Sequence, residues 1–322
     1  MESRILVHPG DAADDDIISR LPDDVLLCIL RFLPTTEDAI RTTALSRRWQ
    51  HVWLCLPALV FSDTGKTCSS TPGLIELVDA ALAHNHETLT ITLQHPFHKA
   101  RANAWLQQAA EHVHGKITLK LDDHKKTAPF DYQFRGQGKV VLDFPSGGGA
   151  RTAAMSFSSS IIDENTMPIL RLPATPVVNN SLTKLELDGI RLEGGSLSDL
   201  VSSCGQLRRL LIHFVWVMDG QDLSISNKLL EELDIDFILG GRLGRLEVSC
   251  PKLRLLRIDR FFVDFLNWKK IVARFCTPCL EEIYWRWSDA ILKSRVEFLG
   301  SMDTVRRLTV GLRTHFETNL KR

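Results

Sequence analysis

The sequence predicts an α/β protein: a helical head over residues 17–57 and a long body in which helical and strand-like stretches alternate and strands pair in parallel. Three observations predict it. Apolar residues crowd a short N-terminal stretch at helical spacing, helix and strand patterns alternate from residue 58 on, and from residue 182 a six-residue pattern with apolar first, fourth and sixth places returns every 23 to 27 residues.

Residues 1–16, with His8-Pro9-Gly10 and the acidic run Asp14–Asp16, read as a flexible lead-in whose last aspartate, or Ser19, helps cap the first helix. Pro22 suits a first helical position because it has no N–H to leave unpaired, and Asp23 and Asp24 favour the positive end of the helix dipole. Val25 to Leu33 then cover almost the whole helix circumference with apolar side chains, Arg31 being the polar gap. Pro34 stops this helix, Thr35 or Thr36 caps the next with Asp38, and apolar residues resume at Ile40, Ala44, Leu45, Trp49, Val52 and Trp53. A piece of about 40 residues buries too little surface to stand alone, so its second apolar face requires another surface.

Leu21-Pro22, Leu26-Leu27, Ile29-Leu30, Leu33-Pro34, Leu45 and Arg48-Trp49 together resemble the F-box, the segment by which substrate receptors dock onto a Skp-type adaptor in cullin ubiquitin ligases. That resemblance implies adaptor contacts from Leu21, Pro22, Leu26, Ile29, Leu30 and Leu33, with Leu45, Trp49 and Trp53 closing a small three-helix core. A hydrophobic helix seated in a partner's groove is a known mode of recognition, and no catalysis follows from it.

In the body, Leu59–Phe61 alternates as a strand, Gly73–Ala83 reads as a helix and Leu89–Leu93 as a strand. Asn103–Val113 and Lys116–Leu121 repeat that cycle, and Val140–Phe144 and Ala154–Phe157 continue the strands around the flexible Ser146–Gly149. The six-residue pattern begins at Leu182, Leu207, Leu230, Leu253, Leu280 and Val305, with a partial copy at Leu243 assigned to a return segment. This period is similar to leucine-rich repeats, in which no unit buries its apolar face without stacked neighbours. The resemblance implies irregular units over 58–180 and clearer ones over 181–322, forming a horseshoe-shaped solenoid with parallel strands on its concave face. The polar residue that often follows the strand in that family is replaced by Ile190, Val215, Ile238, Phe261, Ser288 and Arg313. A cysteine precedes the strand at Cys204, Cys250 and Cys276, where a small buried hydrophobe is expected. Leu312, Phe316 and Leu320 suit a short helix capping the last repeat. Head and repeats together resemble plant F-box/leucine-rich-repeat proteins, many of which continue into a further C-terminal segment not recognised here.

Lysine plus arginine and aspartate plus glutamate both number 39, which removes the bulk electrostatic pull toward nucleic acid or anionic membrane. No signal-peptide core or membrane-length apolar run is present, and the seven cysteines fit free thiols in a reducing compartment, so cytoplasm or nucleus is expected. Cys276-Thr-Pro-Cys279 has no second cysteine pair to complete a zinc site, and burial is expected for it. Thr64-Gly65-Lys66-Thr67 lacks the earlier glycine of a phosphate loop. Seven of eleven histidines fall between His84 and His124 in connecting segments, where solvated surface is expected. Neither cofactor nor metal is expected.

On the repeat strands, the second and third places read Thr183-Lys184, Arg208-Arg209, Glu231-Glu232, Arg254-Leu255, Glu281-Glu282 and Arg306-Arg307. Charge sign alternates strand by strand, and strands about 4.8 Å apart would pair these residues with one another. Such alternation argues against an anionic co-ligand. Target contacts are therefore expected one step further along, at Leu211, His213, Asp234, Asp236, Arg257, Asp259, Tyr284 and Arg286, which show no obvious neighbouring partner. Trp285, Trp287, Phe214 and Trp216 share parity with inward residues and are expected in the core. The reading is a non-catalytic substrate receptor that docks to a Skp-type adaptor and binds a target protein through its repeats. Its rival is a stand-alone repeat module whose helices only cap the solenoid.

Overall fold

The computed structural model describes residues 21–33, 35–62, 73–94, 101–122, 140–145, 151–161, 166–175, 179–217, 222–239, 245–262, 272–288, 295–299 and 303–313. The chain divides into two compact units, one ending at Leu56 and the other beginning at Pro57. Phe316 and Leu320, Thr64–Thr67, His95, His98 and His124 lie outside the described residues, while Leu312, expected to open a capping helix, lies in the strand Arg307–Arg313.

In the first unit, α1 (Asp23–Arg31) starts behind Pro22 with two aspartates in its first turn and ends on Arg31. Thr35 caps α2 (Thr36–Arg41): its hydroxyl accepts from the Asp38 N–H at 3.1 Å and donates to the Asp38 carboxylate at 2.8 Å. Then α3 (Trp49–Val52) runs into a tighter turn over Trp53–Cys55, and α1 packs on both. Leu26, Leu30, Ala39, Ile40, Trp49, Val52 and Trp53 are buried. Arg48 ties α3 to the start of α1, its guanidinium 2.6 Å from Asp23.

The second unit alternates as the sequence predicts, then departs from it. The strands β1 (Ala58–Ser62), β2 (His86–Leu93) and β3 (Val113–Leu121) alternate with α4 (Leu74–Leu82) and α5 (Ala102–His112). After these come β4 (Val141–Asp143), β5 (Ala154–Ser159), β6 (Ile169–Leu172), β7 (Lys184–Asp188), β8 (Arg191–Gly194), α6 (Leu197–Ser203) and β9 (Arg209–Val217). The C-terminal part holds β10 (Leu223–Ser226), β11 (Glu232–Leu239), β12 (Arg245–Ser249), β13 (Leu255–Phe262), β14 (Val272–Cys276), β15 (Glu282–Ser288), β16 (Arg295–Phe298) and β17 (Arg307–Arg313).

Among the described residues these strands make two sheets, all pairings parallel. The larger runs β1-β2-β3-β5-β7-β9-β11-β13-β15-β17. Its register joins Leu59, Leu89, Ile117, Met155, Leu185, Leu210, Leu233, Leu256 and Ile283 into one apolar row, with Phe61 to Trp285 forming a second. These rows are buried, and full burial of each such side chain contributes roughly 1.5–3 kcal/mol.

Val140–Phe144 does not join the main path between β3 and β5. Its strand β4 pairs with β6, β6 with β8, and β8 with the far end of β9, so a second row of strands follows the first. The return segments form the other sheet, β10-β12-β14-β16, and the partial copy at Leu243 supplies β12 in it.

The residue three places before the five strand patterns from Leu182 to Leu280 is a buried plug, but of varied type: Asn179, Cys204, Asn227, Cys250 and Thr277. Cys276 is exposed, because the plug of that repeat falls one residue later, on Thr277; Cys279 is exposed as well. Asn227 shows what the plug does. Its amide N–H groups reach the Val201 and Cys204 carbonyls, both at 2.9 Å, while its oxygen accepts from the Leu229 and Leu230 N–H groups at 2.9 and 3.1 Å. Every hydrogen-bonding position of that side chain on the turn is used.

Parity also breaks after the strands. Gly189, Phe214 and Phe237 occupy equivalent places with φ of +64°, +48° and +56°, so the following residue, Ile190, Val215 or Ile238, turns inward and is buried. Phe214 and Trp216 are therefore half-exposed rather than core, while Trp285 is buried edge-on to Phe275 at 5.6 Å. A Cβ on Gly189 would stand 2.3 Å from the Ser159 carbonyl oxygen, which requires glycine there. Where Phe replaces it, left-handed backbone costs on the order of 1–3 kcal/mol, and the two rings stack at 4.6 Å.

Candidate functional site: an apolar helical face and a charged strand face

The first unit turns the residues of α1 to two sides. Leu26 and Leu30 are 0 and 2 % exposed and belong to its core, which corrects their expected place among the adaptor contacts. The face one residue round the helix is the exposed one: Val25, Ile29 and Phe32, four and three residues apart, are 37, 42 and 89 % exposed. Leu45, expected in the core, joins the outward set at 64 %. Of the remaining expected contacts Pro22 is exposed and Leu21 and Leu33 are half-buried. The sequence signal for Phe32 and Val25 was present in the helical spacing, but a helix apolar all round does not reveal which side its own core takes.

On the second unit, the charges at the second and third strand places pair as their alternation requires. Arg208 meets Glu231 at 2.6 Å, Arg209 meets Glu232 at 3.1 Å, Arg254 grips Glu281 with two bonds of 2.9 and 3.0 Å, and Arg307 meets Glu282 at 3.4 Å. These exposed pairs each contribute roughly 0–1 kcal/mol and disfavour a wrong order of repeats.

The next two rows run Glu186-Leu211-Asp234-Arg257-Tyr284 and Asp188-His213-Asp236-Asp259-Arg286 across β7, β9, β11, β13 and β15. All eight expected target residues thus lie side by side on one face. The reason for choosing them fails, however, because the charged ones have partners. Asp234 lies between His213 at 3.5 Å and Arg257 at 3.7 Å, and Arg286 meets Asp259 at 3.0 Å while hydrogen-bonding the Tyr284 hydroxyl and lying 5.4 Å from its ring centre. Glu186 and Asp188, missed in the sequence, extend the rows one strand earlier; they stand at the places equivalent to Leu211 and His213. Glu186 takes Lys116 at 3.4 Å and Lys184 at 2.5 Å.

His213 is the titratable centre of this face. The Asp234 carboxylate, 3.5 Å from its Nε2, raises its pKa, burial opposes that, and the charges of Asp188 and Asp236 add to the rise. Burial and the neighbouring Asp236 in turn raise Asp188, although His213 pulls it down. The expected solvated histidines also need one correction: His86 is buried, its Nε2 2.8 Å from the Ala81 carbonyl. Among the described residues no cluster of histidine, cysteine and carboxylates could hold a metal ion, and no helix is long and apolar enough to cross a membrane.

Residues 18–57 match the F-box domain family model. The match covers the helical unit and ends where the parallel-strand body begins. Over 339 aligned residues, covering 100 % of the chain and 73 % of the relative, it is 25 % identical to an Arabidopsis thaliana protein named for an F-box and LRR repeats. A second protein of that plant, named as an F-box protein, is 31 % identical over 82 % of the chain and 50 % of its own length. An Arabidopsis thaliana F-box/LRR-repeat protein is 28 % identical over 76 % of the chain and 47 % of its own length. The chain is thus similar to plant proteins named for an F-box, two of these three also for leucine-rich repeats, and spans about half the length of two of them. No solved structure matches it.

Proposed function

We propose that this chain is the substrate-recognition subunit of a Skp-cullin-F-box ubiquitin ligase. The observation that carries the reading is the outward apolar set Val25, Ile29, Phe32 and Leu45 on the helical unit that matches the F-box. An apolar helix face of this kind fits a partner's hydrophobic groove, with Leu21, Pro22 and Leu33 at its margins. The second unit coils as a leucine-rich-repeat solenoid, with the ion-paired strands lining its inner side. A target protein binds across the Asp234–Arg257–Tyr284 and Asp236–Asp259–Arg286 rows and exchanges their internal pairs for its own. No bond is made by the chain itself; holding a target beside the ligase's activated ubiquitin raises the effective concentration of the reacting lysine.

Co-purification with a Skp-type adaptor tests the first half, with the wild-type chain beside Ile29→Asp plus Phe32→Asp. These side chains are exposed, so the variant keeps its fold, which circular dichroism checks, and loses the complex. A folded wild-type chain that forms no complex would leave the head as a mere cap. For the second half, exchanging the charges of Asp234 and Arg257 should abolish target capture with adaptor binding intact; unchanged capture would remove these rows from the site.

A further inference from the structure

The strand face of the second unit changes its chemistry along the main sheet. On β1, β2, β3 and β5 the fifth and seventh places of the pattern read Val60-Thr90-Thr118-Ser156 and Ser62-Thr92-Lys120-Ser158, six hydroxyls and a lysine without a carboxylate. On β7, β9, β11 and β13 the same places read Glu186-Leu211-Asp234-Arg257 and Asp188-His213-Asp236-Asp259, five carboxylates against one arginine and one histidine. The two halves meet in one row, where Lys120, Ser158, Asp188, His213, Asp236 and Asp259 stand side by side. Lys120 is exposed and has no ion pair among the described residues; the lysine of β3 that reaches Glu186, at 3.4 Å, is Lys116. Between these two lysines lies Thr118, 8 % exposed like Ser156 beside it, so hydroxyls rather than bulky side chains floor this half. Asp188 is exposed too, and the charges it feels are those of His213 and Asp236.

Resting on the proposed role of this face in target capture, we infer that it docks one extended segment of the target whose charges are divided into an acidic and a basic block. The acidic block lies over Lys120 and the hydroxyls, and the basic block over Asp188, Asp236 and Asp259. Opposite potentials on the two halves choose both the partner and the direction in which it lies. At about 4.8 Å a strand, Asp188 and Asp236 stand about 10 and 19 Å from Lys120, a distance that roughly three to six residues of extended chain cover. The chain's own neighbouring residues do not supply the acidic block: residues 63–72, 95–100 and 123–139, which follow β1, β2 and β3, hold six lysines and arginines against three aspartates. A second copy carries both halves, but the inner curve of one solenoid does not seat in the inner curve of another.

The test is fluorescence anisotropy of labelled peptides titrated with the full chain at low salt. Glu-Glu-Ser-Ser-Gly-Arg-Arg, with its charges divided, should bind about tenfold more tightly than Glu-Arg-Ser-Gly-Ser-Glu-Arg, which has the same composition with its charges mixed. Lys120→Glu and Asp188→Lys, both at exposed places and so tolerated by the fold, should each weaken the divided peptide about fivefold. Lys252→Glu, the same change of charge on an exposed turn, should leave it unchanged. Equal binding of the two peptides, binding of neither, or as large a loss in Lys252→Glu overturns the inference. Three other outcomes overturn it by naming a different occupant. Binding only of a peptide with phosphoserine in place of the glutamates gives the face to a phosphorylated segment, binding that appears only with Lys269→Ser plus Lys270→Ser gives it to the chain's own residues, and a concentration-dependent dimer dispersed by Lys120→Glu gives it to a second copy. Adaptor co-purification of the same proteins separates the two readings: a chain that binds its adaptor but does not distinguish the peptides sinks this inference alone, whereas one that distinguishes them without an adaptor complex supports it in a stand-alone module.

Discussion

His213 shows how far a single side chain can be argued. Its neighbours on the adjoining strands are Asp188 on β7 and Asp236 on β11, with Asp234 at 3.5 Å. The protonated ring is favoured in the folded chain, because these carboxylates, Asp234 first, outweigh its burial. A folded pKa above the unfolded value of about 6.5 stabilises the fold fully below that value, and the gain is lost as pH rises through the folded pKa. Unfolding with urea at a series of pH values should therefore show a decline in stability on the alkaline side of 6.5. Asp234→Asn removes the first cause, so the His213 ring resonances in a proton NMR titration should move their midpoint to lower pH. An unmoved midpoint would mean that the charges of Asp188 and Asp236 suffice. The residue scale was partly legible: period and parity put His213 on the strand face, but its partnership with Asp234 is diagonal between strands, and the alternation rule compares only residues directly opposite.

At the scale of the element, the strands were legible and the turns before them were not. Leucines at the first, fourth and sixth places and opposite charges between them follow from period-two geometry and nearest-neighbour pairing, which act over a few residues. The plugs follow another logic: each must fill a small buried space and satisfy turn N–H groups, a task that asparagine, cysteine with backbone carbonyl, and threonine each perform. No single residue type repeats, so the sequence pattern suggested a cysteine at Cys276, one place early. Asn227→Ala isolates this task. It leaves two carbonyls and two turn N–H groups without that side chain, and orphaned buried groups cost roughly 1–3 kcal/mol each before water relieves some of them. A loss of about 3 kcal/mol in urea unfolding is expected, against about 1 kcal/mol or less for Arg209→Ala in its exposed ion pair. Equal losses would mean that the turn, not its plug, organises the repeat. The left-handed Phe214 and Phe237 were equally hidden, since nothing in an apolar run announces positive φ.

For the whole molecule, the division at Leu56 and Pro57 separates two kinds of cohesion. The helical unit relies on a small core around Leu26, Leu30, Trp49 and Trp53, so loss of one large side chain removes a large part of what holds it. Each strand of the sheet unit instead leans on the two beside it, and its apolar rows run from β1 to β15. A lesion in the small core should stay there. Trp49→Ala deletes a side chain 3 % exposed, and phenylalanine- or tryptophan-to-alanine changes in cores cost about 3–5 kcal/mol, comparable to the whole stability of so small a unit. Hydrogen exchange followed by mass spectrometry on the full-length variant should then show faster exchange across residues 21–56. Peptides covering β9, β11 and β13 should keep wild-type protection, and the proposed adaptor complex should be lost along with the protection of the head. Faster exchange in β11 as well would mean that the two units unfold as one, and loss of adaptor binding could then not be assigned to the head alone. That outcome would also change the reading of Ile29→Asp plus Phe32→Asp, which touches only the outer face and should leave exchange in both units as it was.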